Sequence, residues 1–154
     1  MLEAVREKSD GMEMGLLLGG VLVVLVAYFL PAVTFFGQGG PRFGLSLFSK
    51  LPIMSLIAFA ALAAAVATRF VPSLVRYAEQ ATIIAILLVL APALLGFMMA
   101  LDPWTGLRQT MLKMANARSV KVDPGLAYIP LFAGAIMMGF SVRRRLRRMA
   151  AASA

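Results

Sequence analysis

Four long stretches without a charged residue dominate the chain, at 14–36, 51–68, 81–101 and 126–142. Within them the apolar residues occupy every face of a helical wheel rather than one stripe, the pattern of a helix with apolar surroundings on all sides. The first runs 23 residues from Met14 to Phe36. At 1.5 Å per residue it reaches about 35 Å, enough to cross a hydrocarbon core of about 30 Å. Asp10 can cap its start, with Glu13 three residues later completing a capping box. A cleaved signal peptide is disfavoured, because Glu3, Glu7, Asp10 and Glu13 outweigh Arg6 and Lys8 ahead of a long apolar run. The second stretch opens with Pro52, suited to a first helical turn. An earlier start at Pro72 is open to the third, since Ser73 to Gln80 contains no breaker and Arg76 and Glu79 fit an i,i+3 pair. The fourth is near the short limit for a span, and Asp123-Pro124-Gly125 marks its beginning. These features predict an all-α fold, one integral membrane domain over residues 1–154. It is a four-span transmembrane helical bundle.

The connections differ in character. Between the first two spans, residues 37–50 combine helix-breaking glycines with Phe43, Leu45, Leu47 and Phe48, too apolar for a loop free in water. Such a segment either docks, partly re-enters the membrane, or rests in the headgroup zone. Between spans three and four, residues 104–118 place Trp104, Leu107, Met111, Met114 and Ala115 on one helical face, with Gln109, Lys113 and Asn116 opposite. Arg108 and Arg118 flank the apolar stripe, so an interfacial amphipathic helix is predicted, anchored by Trp104. Its apolar face could meet lipid or a partner subunit.

Composition strengthens the membrane assignment. Of 154 residues 61% are hydrophobic, and the mean hydropathy is +0.88. A soluble domain of this size buries only about two thirds of its surface and could not hide so much apolar area. The net charge is +8 and sits at the ends of the apolar stretches, which points to membrane phosphates rather than nucleic acid. Four spans put the N-terminus, the middle connection and the C-terminus on one side. That side carries nine cations (Arg6, Lys8, Arg69, Arg76, Arg143, Arg144, Arg145, Arg147 and Arg148). The other carries six: Arg42, Lys50, Arg108, Lys113, Arg118 and Lys121. The positive-inside bias therefore places both termini in the cytoplasm, with a bacterial inner membrane as the expected location. Residues 143–154 are expected to form a basic cytoplasmic tail, with Arg143, Arg144, Arg145, Arg147 and Arg148 contacting anionic lipid at on the order of 1 kcal/mol per cation. Topology determination alone also explains such a cluster.

Small residues four apart recur in the spans and allow close backbone approach: Gly15 and Gly19, Ala60 and Ala64, Gly96 and Ala100, Ala135 and Gly139. Pro31, Pro92 and Pro130 fall inside or near the ends of spans one, three and four, as hinges or as prolines tolerated in membrane helices.

The chemistry the chain lacks is as informative. It has no Cys and no His, which removes disulfides, thiolate nucleophiles, iron–sulfur clusters, the usual zinc sites, His-ligated haem and His acid–base catalysis. No cofactor or metal is expected. No ionisable residue lies centrally in any span, so proton-coupled transport is disfavoured. Ser46, Ser49, Ser55, Ser73, Tyr28, Tyr77, Tyr128 and the edge carboxylates form no recognisable catalytic constellation, and no enzyme is expected. The leading expectation is a non-catalytic accessory or structural subunit of a larger membrane complex, partnered by lipid and by other membrane subunits or itself. The alternative is a homo-oligomeric passive pore or a lipid- or solute-handling protein, holin-like or channel-like.

Overall fold

The computed structural model describes residues 11–37, 43–101 and 120–153. The interfacial helix expected at 104–118, with Trp104, Leu107, Met111 and Met114, lies outside the described residues. The elements in order are α1 (Gly11–Phe29), β1 (Pro31–Gly37), β2 (Phe43–Ser46), α2 (Leu47–Lys50) and α3 (Pro52–Phe70). A 3-10 turn (Pro72–Tyr77), α4 (Ala78–Leu101), β3 (Val120–Pro124) and α5 (Tyr128–Ser153) follow. The protein is mostly helical. Three of its helical segments, Gly11–Phe29, Pro52–Phe70 and Pro72–Met98, are long and apolar enough to cross a membrane.

A shared rule builds the bundle. On α1 the buried residues Glu13, Leu17, Gly20, Val24 and Ala27 recur at alternating steps of four and three. On α3 the series is Ser55, Ala58, Leu62, Ala65 and Arg69, and on α4 it is Ala78, Thr82, Ala85 and Val89. Leu131, Met138, Ser141 and Arg145 continue it on α5. This seven-residue repeat keeps one seam of each helix toward its neighbours. α1 packs chiefly on α5 and α3 on α4, with α4 against α5 joining the two pairs. The contact of α1 with α3 is much slighter.

The α1–α5 seam is closest at two glycines. A Cβ added to Gly20 would lie 2.7 Å from the Gly134 carbonyl oxygen, and one added to Gly134 would lie 2.7 Å from the Gly20 oxygen. Bare backbone on both sides is what brings these helices together. Polar side chains along the seams are satisfied locally: Ser55 Oγ donates to Leu51 O at 2.8 Å, Thr68 Oγ1 to Ala65 O at 2.8 Å and Thr82 Oγ1 to Ala78 O at 2.7 Å. Tyr28 is fully buried and donates to Val89 O at 3.0 Å, three residues before Pro92 in α4.

One feature departs from the all-α expectation. The apolar run expected to be helical to Phe36 leaves the helix at Phe29, because Pro31 disfavours helical geometry at Leu30 and removes a backbone donor. The β-branched and aromatic residues Val33, Thr34, Phe35 and Phe36 then form β1, the centre of a three-stranded antiparallel sheet ordered β2-β1-β3. Val33 pairs with Leu45 on one side and Pro124 on the other. Part of the first connection is therefore an ordered strand rather than a loop. Gly125 closes the sheet onto α5: its N–H donates to Ala32 O at 2.8 Å, and a Cβ there would fall 1.9 Å from Pro31 O. α5 also runs on through the arginines to Ser153, so the expected basic tail is helical. Pro130 sits in its first turn, where no intrahelical donor is lost.

Candidate functional site

At the end of the bundle opposite the sheet, the last charged turn of each seam meets the others. Glu13 lies in the first turn of α1, Arg69 in the last turn of α3, Glu79 in the first turn of α4, and Arg145 and Arg148 on α5. Glu13 is fully buried, and Arg69, Glu79 and Arg145 are nearly so. The Glu13 carboxylate is the hub. Arg69 Nη1 donates to its Oε1 and Arg148 Nη2 to its Oε2, while Arg145 Nη1 approaches Oε1 at 3.4 Å. Arg145 also donates through Nε to Glu79 Oε1 at 2.6 Å and through Nη2 to Val75 O at 3.3 Å. Ser141 Oγ completes the tie between α5 and α1, donating to the Glu13 backbone oxygen at 2.9 Å. One cluster thus fastens all four long helices and the 3-10 turn.

Two carboxylates face three guanidinium groups, so the described cluster carries one excess positive charge. Among the described residues, Arg69 Nε and Nη2 find no hydrogen-bond partner, consistent with that excess. A buried ion pair repays its desolvation only with good geometry and further hydrogen bonds. Arg145 meets that condition most fully, its fork reaching Glu79, Glu13 and Val75.

This arrangement revises several expectations. Glu13 binds three arginines, a role the sequence reading did not give it, and the capping box expected with Asp10 lies outside the described residues. The arginine run does not act as one surface: Arg145 is 1% exposed and Arg148 turns partly inward, while Arg143, Arg144 and Arg147 face outward. Glu79 contacts Arg145, and the Arg76 guanidinium lies 4.6 Å from the centre of the Tyr77 ring. Lone charges at the same end of three consecutive apolar segments, each in phase with its buried seam, were the available signal.

The small residues singled out from spacing are distributed unevenly. Gly19 is in contact, its added Cβ meeting Met137 Cε at 2.9 Å, and Gly96 packs against Leu47 and Tyr128. Ala135 is buried. Gly15 and Gly139 have open space where a side chain would stand, and Ala60 and Ala64 are exposed on the outer side of α3. Ala100 lies in the last turn of α4, next to its final residue Leu101. The intimate approach belongs instead to Gly20 and Gly134.

Among the described residues, two grooves open on the outside. One, of about 530 Å³, runs between α1 and α3 and is lined by Leu18, Leu22, Leu25, Phe59, Ala63 and Ala67 among others. The other, of about 380 Å³, lies between α1 and α5 beside the ion cluster and is lined by Met12, Leu16, Phe140, Arg143, Arg144 and Arg147. No group of three or more metal-ligating side chains occurs among the described residues. Compared with family models, curated proteins and solved structures, the chain matches none.

Proposed function

We propose that this protein is a four-span subunit of the bacterial inner membrane, with both termini in the cytoplasm, acting as a non-catalytic accessory or structural component of a larger complex. α5 supplies the fourth span. Its uncharged part, Tyr128–Val142, is only 15 residues, or about 22 Å, short of the full hydrocarbon thickness. Arginine stems that reach outward along the helix, and neutralisation of Arg145 inside the bundle, make up the difference. The side bearing the ion cluster is the cytoplasmic one, since the arginine run and Arg69 gather there.

The observation that carries the subunit reading is where the buried charge is spent. Intramembrane ionisable groups ordinarily serve a pathway or a reacting centre. Here Glu13, Arg69, Glu79 and Arg145 neutralise one another at a junction of helix ends and line neither groove. What the bundle offers outward is packing surface: the wholly apolar α1–α3 groove, with Ala63 and Ala67 one turn apart, and the neighbouring Ala60 and Ala64. Such small-residue surfaces suit a further transmembrane helix, which gains contact there without a clash. The apolar lining also weighs against the alternative of a water-filled passive pore built around this groove.

Purification in mild detergent from cells at native expression tests the reading. Stoichiometric membrane partners are expected, lost on Ala63→Leu/Ala67→Leu, which fills the groove. Recovery as a lone monomer would count against it, and ion flux through liposomes of the pure protein would favour the pore.

A further inference from the structure

We propose that the groove between α1 and α5 binds one anionic phospholipid, its phosphate held by Arg143 and Arg147 and an acyl chain laid over Met12, Leu16 and Phe140. The argument begins with helical phase. Arg145 and Arg148 lie three apart on the seam and are drawn to Glu13. Phe140, Arg143, Arg144 and Arg147 follow the i, i+3, i+4, i+7 pattern on a different face, and Met12 and Leu16 stand one turn apart on α1 opposite them. The groove is therefore divided along its length. Its inner part is apolar, with Phe140 and Met12 more than half exposed. Its outer part is guanidinium, beginning one turn beyond Phe140, with Arg147 about 10 Å beyond it at the helical rise.

Apolar floor followed by fixed cations, along the direction from bilayer to water, is the order of groups in a phospholipid. Guanidinium groups bind phosphate through paired N–H donors, and their charge favours a lipid with net negative charge over a zwitterion. Among the described residues no carboxylate pairs with Arg143 or Arg147. The Glu13 carboxylate is held on the seam by Arg69, Arg145 and Arg148, so it does not compete for this site. A face built from α1 and α5 also has a fixed shape, because the Gly20–Gly134 contact and the ion cluster hold the two helices together. The inference rests on α5 lying in the bilayer, but not on any protein partner.

The test uses the full chain reconstituted in nanodiscs of equal phosphatidylglycerol and phosphatidylcholine, then released for native mass spectrometry. Wild type should retain a single phosphatidylglycerol in preference to phosphatidylcholine. At about 1 kcal/mol per cation, roughly fivefold each, Arg143→Gln/Arg147→Gln should reduce that preference roughly 30-fold. Both side chains point away from the seam, so the variant should keep the wild-type circular dichroism and melting midpoint in detergent. Arg143→Lys/Arg147→Lys should keep part of the preference, and Leu16→Asn should weaken retention with the arginines intact. Equal retention of the two lipids by wild type, or an undiminished preference in the double glutamine variant, overturns the proposal. So does a preference seen only after Glu3→Gln/Glu7→Gln/Asp10→Asn, which would make the chain's own acidic residues the occupant. Failure to enter nanodiscs at all would refute the membrane topology and the lipid site with it, whereas loss of lipid preference alone leaves the topology standing.

Discussion

Replacing Glu13 by glutamine removes the hub of the ion cluster while keeping its shape. Among the described residues two carboxylates oppose three guanidinium groups in the wild-type cluster, an excess of one positive charge; the variant leaves one against three, an excess of two. A unit pair about 4 Å apart interacts by about 4 kcal/mol at an effective dielectric constant of about 20. Removing one partner of a buried pair costs about 3–5 kcal/mol, because the other is stranded. Glutamine still accepts one hydrogen bond, so the lower figure, about 3 kcal/mol, is expected for Glu13→Gln. The sign of the residual charge makes a sharper comparison. Arg69→Met removes the excess and leaves two carboxylates facing Arg145 and Arg148, so it should destabilise less than Glu13→Gln. The double variant should then lose less than the sum of the two singles, since the cation stranded by the first change is removed by the second. Reversible unfolding in mixed micelles, followed by far-ultraviolet circular dichroism as the denaturing detergent fraction rises, measures all three. A Glu13→Gln loss below about 1 kcal/mol, or a larger loss for Arg69→Met, would mean that Glu13 is not the hub of the cluster.

Gly20→Ala and Gly134→Ala should each cost about 1–3 kcal/mol by forcing α1 and α5 apart, while Gly15→Ala, with open space around it, should be nearly neutral in the same assay. Tyr28→Phe removes the donor to Val89 O and should cost about 0.5–1.5 kcal/mol, with faster hydrogen exchange around Pro92. Lys50 Nζ is buried with no hydrogen-bond partner among the described residues, and that burial holds its ammonium below the ordinary lysine value. Lys50→Met should therefore melt higher than wild type. Since the folded protein then holds this proton less tightly than the unfolded chain, wild type should recover stability relative to Lys50→Met as pH rises through the depressed value toward about 10.4.

The helical bundle is legible in the sequence because uncharged stretches of this length have no other stable setting, and Pro52 and Pro72 punctuate them where the helices begin. The seams are legible too, once the small residues are counted in sevens rather than fours: Gly20 and Gly134 lie on them, whereas Gly15 and Gly139 do not. The sheet was hidden because Pro31–Phe36 continues the hydrophobicity of α1, and hydropathy does not distinguish helix from strand. Only the Leu30-Pro31 step and the β-branched residues after it carried the difference. The ion cluster was obscured by its arginines. Five cations within six residues look like one solvated surface, yet helical phase sends Arg145 inward and Arg143 and Arg147 outward.

The proposed topology puts the ion cluster, at the junction of helix ends, on the cytoplasmic face and the sheet on the opposite one. The chain has no cysteine, so each introduced thiol is unique. Ser9→Cys, Ser73→Cys and Ser153→Cys should resist a membrane-impermeant maleimide in intact cells and react in inverted vesicles, with Gln38→Cys and Ser119→Cys showing the reverse. Labelling of Ser73→Cys and Gln38→Cys from the same side would rule out this topology.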